Sequence, residues 1–198
     1  MRIVVGISGA SGAIYGVHLL RCFQKTKMEV HLVISDAANL TLQHECSDII
    51  TIQQLKEKEF CYQYHDNDDI GASIASGSFG TEGMIIAPCS VRTMSEIASG
   101  TASSLLTRAA DVTLKERRKL VLMLRETPLH LGHLKTMMAV TEMGAIIFPP
   151  VPSFYHHPKT IDDIIEHSVS RVMSIFGLRE NTKEWKGMDK TKASGLPI

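Results

Sequence analysis

The chain has no net charge, with 21 Lys and Arg set against 21 Asp and Glu in 198 residues. A nucleic-acid binder that works by neutralising phosphates needs a basic surface, so that class is excluded. Aromatics are scarce, six Phe, four Tyr and one Trp, which leaves little surface for stacking bases. The four cysteines, Cys22, Cys46, Cys61 and Cys89, form no Cys-x-x-Cys pair for zinc or redox work, and the expectation is reduced thiols in a cytoplasmic protein. No apolar run approaches the ~20 residues that cross a bilayer. Ile3-Val4-Val5 behind Met1-Arg2 is too short for a signal-peptide core. What is present is an ordinary globular composition, 44% hydrophobic and 21% charged, long enough to bury a core without disulfides or structural metal.

Short β-branched runs alternate with longer segments of helical period, the pattern of βα units winding a parallel sheet. Strands are predicted at 2–7, 29–34, 83–87, 119–124 and 145–148, and helices at about 12–25, 36–46, 89–99, 103–117, 129–143 and 160–177. The fold class expected is a single-domain, three-layer αβα parallel sheet of Rossmann-like or flavodoxin-like type, spanning 1–185, with 186–198 as a C-terminal tail. Residues 62–80 form the least regular stretch. Ligands of open α/β sheets sit beyond the carboxyl ends of the strands, so the loops after Ile7, Ile34, Ala87, Leu124 and Phe148 are the ones to read.

The first of these loops is Gly6-Ile7-Ser8-Gly9-Ala10-Ser11-Gly12-Ala13. Its glycines permit a tight turn and close approach of backbone to ligand, and the following helix offers N–H groups to an anion. The spacing is neither the dinucleotide Gly-x-Gly-x-x-Gly nor a P-loop, and alone it does not separate FMN from NAD. Pro88-Cys89-Ser90-Val91-Arg92-Thr93 adds a second hydroxyl-rich helix start on the same sheet edge. Cys89 there is a weak candidate nucleophile, since buried cysteine is common and no His lies near it in sequence. Arg125-Glu126 follows the fourth predicted strand, where a charged pair is more often site than scaffold. Tyr155 lies in a proline-stiffened segment. Arg108 and Lys115, seven apart, share one helical face as a positive stripe. His130-x-x-His133 lacks a third ligand, so no metal site is expected.

Taken together, Gly9-Ala10-Ser11-Gly12-Ala13, Pro88-Cys89-Ser90 with Thr93, Arg108-Ala109-Ala110-Asp111-Val112 with Leu114-Lys115-Glu116-Arg117, Arg125-Glu126-x-Pro128, His133-Leu134 and Phe154-Tyr155 resemble the UbiX flavin prenyltransferase family, which includes the small subunits linked to phenolic and phenylacrylic acid decarboxylases. The resemblance covers about residues 1–186. It implies transfer of a dimethylallyl group from dimethylallyl phosphate to ring nitrogen five and carbon six of reduced FMN, giving prenylated FMN, the cofactor of a separate UbiD-type aromatic acid decarboxylase. By motif, Gly9, Ala10, Ser11, Ser35, Ser90, Val91, Arg92, Thr93 and Arg125 would bind FMN. Arg108, Lys115, Arg125, Tyr155 and Arg171 would hold the prenyl phosphate. Ser11, Glu45, Glu126 and Lys115 would serve catalysis. A homo-oligomer is implied, possibly a dodecamer with sites at subunit contacts, and Trp185 would reach a neighbouring site.

The chain departs from the family pattern at Val91-Arg92, at Ile70-Gly71, at Lys135-Thr136 and at Cys46. The basic Arg92 tilts the reading towards the phenolic-acid branch. Two alternatives stand beside it, a flavin-dependent carboxy-lyase acting directly on an aromatic acid and a non-catalytic subunit of a decarboxylase.

Overall fold

A computed structural model describes residues 1–178 and Gly187. The expected contribution of Trp185 and the tail assigned to 186–198, Gly187 apart, lie outside the described residues. Six parallel strands form one sheet: β1 (Arg2–Ile7), β2 (Glu29–Ile34), β3 (Gln63–His65), β4 (Gly83–Cys89), β5 (Lys119–Leu124) and β6 (Ile146–Ile147), in spatial order β3-β2-β1-β4-β5-β6. This is the doubly wound, Rossmann-type order, whose topological switch point falls between β1 and β4. The helices are α1 (Ala13–Gln24), α2 (Asp36–Cys46), α3 (Ile52–Leu55), α4 (Val91–Ser99), α5 (Leu105–Lys115), α6 (Leu131–Glu142) and α7 (Ile161–Ile175).

The continuous apolar runs of the strands resolve into two faces because successive side chains alternate. Ile3, Val5 and Ile7 of β1 pack with α1, α2 and α7, whereas Val4 packs with α4, α5 and α6 on the other side. Glycine is required where the layers close up. A Cβ on Gly16 of α1 would stand 2.5 Å from the Ala87 carbonyl oxygen and 3.0 Å from Ile7 Cδ1.

The sequence reading missed β3 and α3. Gln63-Tyr64-His65 is too short and polar to read as a strand, and a tertiary contact explains its place. His65 Nε2 lies 2.9 Å from Nδ1 of His31 on β2, and both imidazoles are buried. The strand predicted at 83–87 continues to Cys89, with a register irregularity between Ile86 and Cys89. Pro88 lies inside that interval and has no N–H to give to a ladder.

Candidate active site

The loops after β1 and β4 meet at the switch point, and their shared anchor is Ser8, a residue the sequence reading passed over. Ser8 is fully buried. Its hydroxyl donates to the Pro88 carbonyl at 2.9 Å and accepts from the Ser90 N–H at 2.8 Å. The signal in sequence was small: one hydroxyl between an apolar strand and a glycine.

Gly9 has a packing reason to be glycine. A Cβ there would overlap Ala37 Cβ and lie 3.0 Å from the Ala37 carbonyl carbon, so the loop runs tight against the start of α2. Ser35, at the carboxyl end of β2, caps that helix by accepting from the Ala38 N–H at 3.2 Å.

The α1 amino terminus does not present itself to an anion as the sequence suggests. Gly12 takes the left-handed conformation at the cap, φ 97°, and the N–H groups of Gly12 and Ala13 both donate to Glu45 Oε2, at 2.8 and 3.0 Å. An internal carboxylate therefore sits on the positive end of this helix. Burial pushes the Glu45 carboxyl upward, but the Ser11 hydroxyl, the two backbone donors and the Arg125 charge outweigh it and hold the group below its ordinary value. Glu45, Ser11 and Arg125 are thereby brought into one electrostatic cluster from α2, the first loop and the end of β5.

The amino terminus of α4 is differently placed. Ser90 caps it, accepting from the Thr93 N–H at 3.2 Å and donating to Thr93 Oγ1 at 3.0 Å. Helical geometry gives the N–H groups of Val91 and Arg92 no partner within the helix, so they are donors suited to a flavin or its phosphate. The Arg92 side chain turns outward, 84% exposed, and bonds Glu96 at 2.9 Å, so a contribution to ligand binding rests on its backbone. Cys89 is completely buried and its thiol is pushed far up by desolvation, which removes it as a nucleophile.

Arg125 and Glu126 follow β5. The Arg125 N–H donates to the Cys89 carbonyl at 3.1 Å, which sets its side chain beside the α4 loop, and Glu126 Oε1 accepts from the Thr127 N–H at 3.0 Å. Both residues are exposed. Glu45, by contrast, has its charge already stabilised by donors and is poorly suited to take a proton.

The remaining cations lie elsewhere. Arg108 donates to the Ala75 carbonyl at 3.2 Å and to Asp111 at 2.6 Å, and Lys115 pairs with Glu116. The expected positive stripe is therefore internally neutralised. Lys115 ends α5 just before the amino end of β5, while Arg125 follows that strand's carboxyl end, and a six-residue strand spans roughly 20 Å. Tyr155 lies in the loop after β6, with its hydroxyl 3.3 Å from His167 Nε2 on α7, and exposed Arg171 follows one turn later on that helix. The helices that carry Lys115 and Arg171, α5 and α7, cover opposite faces of the sheet. Among the described residues no group of three His, Cys, Asp or Glu could hold a metal, and no helix is long and apolar enough to cross a membrane.

A test of the α1 lock is Glu45→Gln, which keeps the shape and removes the charge. Stability is expected to fall by about 1 kcal/mol at pH 7. Because the folded-state carboxyl is depressed, the wild-type advantage should be present above the ordinary carboxylate range and vanish as pH falls through the folded value. Urea unfolding of both proteins at pH 7 and pH 3.5 reads this directly.

Comparisons with known proteins agree with this architecture. The model of the Flavoprotein family matches residues 1–173. The chain is 58% identical over 178 residues to the flavin prenyltransferase UbiX of Thauera aromatica, covering 90% of each chain. Among solved structures it is similar to a dodecameric FMN-dependent UbiX-like decarboxylase from Escherichia coli O157:H7, TM-score 0.90 and 43% identity over 94% of this chain and 100% of that one. It is also similar to AnUbiX (PadA1) in complex with FMN and dimethylallyl pyrophosphate, TM-score 0.91 and 41% identity over 95% and 98%.

Proposed function

Since the chain belongs to the UbiX flavin prenyltransferase family, we propose that it joins the dimethylallyl group of dimethylallyl phosphate to reduced FMN, and that the prenylated FMN passes to a UbiD-type aromatic acid decarboxylase. The observation that carries this reading is the convergence at the switch point of the Ser90-capped end of α4 with the Ser11, Glu45 and Arg125 cluster. That crevice offers backbone N–H groups, hydroxyls and one guanidinium, a donor set that fits a flavin mononucleotide.

When bound, reduced FMN supplies the nucleophilic ring nitrogen five and carbon six. The chain's residues do the rest. The backbone and hydroxyls of Gly9 to Ser11, Ser35 and Ser90 to Thr93 hold the flavin. Arg108, Lys115, Arg125, Tyr155 and Arg171 grip the phosphate, which takes both electrons of the allylic C–O bond as it leaves. Preorganised cations stabilise that developing charge without any metal. Glu126 accepts the proton released as the new ring closes. Glu45, already ionised and bonded to Ser11 and α1, orients the Ser11 hydroxyl.

The phosphate site is completed between copies of the chain, a homo-oligomer and possibly a dodecamer. In support, α5 and α7 lie on opposite faces of one sheet, and exposed apolar side chains such as Leu131, Leu134, Met138 and Phe154 form surfaces suited to subunit contact. Four free cysteines fit a reducing, cytoplasmic setting.

The decisive experiment is anaerobic incubation with reduced FMN and dimethylallyl phosphate or its diphosphate, followed by mass spectrometry of the extracted flavin. A flavin heavier by one C5H8 unit is expected with the monophosphate. Absence of the adduct with both donors, together with carbon dioxide released from an aromatic acid by the protein alone, would establish the carboxy-lyase reading instead.

A further inference from the structure

We infer that Ser8 is a positioning residue of the flavin site, setting the distance between the two loops that hold the ligand; this rests on the reading that FMN occupies the switch-point crevice. The backbone ladder between β1 and β4 pairs Val4 to Gly6 with Met84 to Ile86 and goes no further. Beyond it, Pro88 has no N–H to give to a ladder, and no further β1–β4 pair follows Gly6 and Ile86. The two strand ends from which the ligand loops depart are therefore not tied by regular pairing. Ser8 replaces the missing rungs. Its N–H and its hydroxyl both reach the Pro88 carbonyl, at 3.2 and 2.9 Å, and the same hydroxyl accepts from the Ser90 N–H at 2.8 Å.

Ser90 is the cap of α4, so the position of its N–H sets where the donors of Val91 and Arg92 stand relative to Gly9, Ala10 and Ser11. A hydroxyl satisfies both partners because it donates and accepts at once. A methyl group in its place leaves the partly buried Ser90 N–H without its acceptor, a costly state that the loop relieves by moving. Because Ser8 is completely buried, its effect on FMN is transmitted through the loops and not by contact with solvent-borne ligand.

The test uses the full chain stripped of flavin, in a series Ser8→Thr, Ser8→Cys and Ser8→Ala, with FMN affinity read by flavin fluorescence and folding by circular dichroism. Wild type must bind FMN; if it does not, the flavin reading itself fails. With wild type binding, the expected order of affinity is Ser and Thr together, then Cys, then Ala, with Ala at least tenfold weaker while the KM for dimethylallyl phosphate at saturating FMN stays within twofold. Ser8→Cys keeps a weak donor and acceptor in place of the hydroxyl and carries the test if Ser8→Ala does not fold. Folded Ala or Cys variants that bind FMN within twofold of wild type overturn the inference. So does a donor KM that rises in parallel with the FMN dissociation constant, since a general loss of packing would move both.

Discussion

Replacing Lys115 by Ala is expected to lower kcat/KM for the prenyl donor by about 10²- to 10³-fold while FMN affinity stays within about threefold. Removing one preorganised group that meets developing charge typically has this size of effect, and a charge-assisted contact to phosphate is stronger than a neutral one. FMN binding is expected to survive because Lys115 lies before the amino end of β5 and the flavin loops lie beyond the carboxyl ends of β1 and β4. The separation also makes a complementation test possible. Lys115→Ala and Glu126→Ala subunits, each impaired alone, should regain part of the activity when co-assembled, because one copy then supplies the cation and another the carboxylate. Full activity in the Lys115→Ala protein, or equal loss of FMN and donor binding, would remove Lys115 from the proposed role.

The second large effect concerns stability. The His31 imidazole is pushed down to about 4 by burial first, then by the neighbouring His65 and the Arg2 charge, with Glu29 opposing. His65 is lowered too, by burial, against a weaker pull from Asp69. An unfolded His31 takes up a proton near pH 6.5 and the folded one does not. Its stabilising contribution is therefore complete above that pH and is lost as pH falls towards 4, by about 2 kcal/mol at pH 5 and on the order of 3 kcal/mol at pH 4. Urea unfolding between pH 7.5 and pH 5 should show this decline. The double variant His31→Leu, His65→Leu removes both polar partners together and should flatten it. An unchanged slope in that variant would assign the acid sensitivity to other groups.

The two predictions draw on different kinds of legibility. Strands β1, β2 and β5 were readable to the residue because fully buried parallel strands are continuous apolar runs, and α2 was readable at 36–46 from its helical period. The edge strand β3 was not, since its pairing with β2 depends on a histidine contact between residues 34 apart in sequence. In the site, the glycine loop, the Ser90 cap and the Arg125-Glu126 pair were visible as residue types at strand ends. The occupation of the α1 terminus by Glu45 was not, because it needs the far end of another helix to return to the first loop. The positive stripe of Arg108 and Lys115 was read from spacing alone. Both residues lie on α5, yet each is paired within its own chain, and a spacing argument carries no information about Asp111 or Glu116.

That pairing bears on turnover. A phosphate released among four unopposed cations would leave slowly and inhibit the next cycle, because binding that is equally strong for product and transition state adds nothing to the rate. With Glu116 beside Lys115 and Asp111 beside Arg108, these two cations have an internal anion to return to. In the proposed site, the departing dianion is thus displaced by carboxylates already in place, and the same contacts that dampen affinity for free phosphate keep the cations oriented for the next donor.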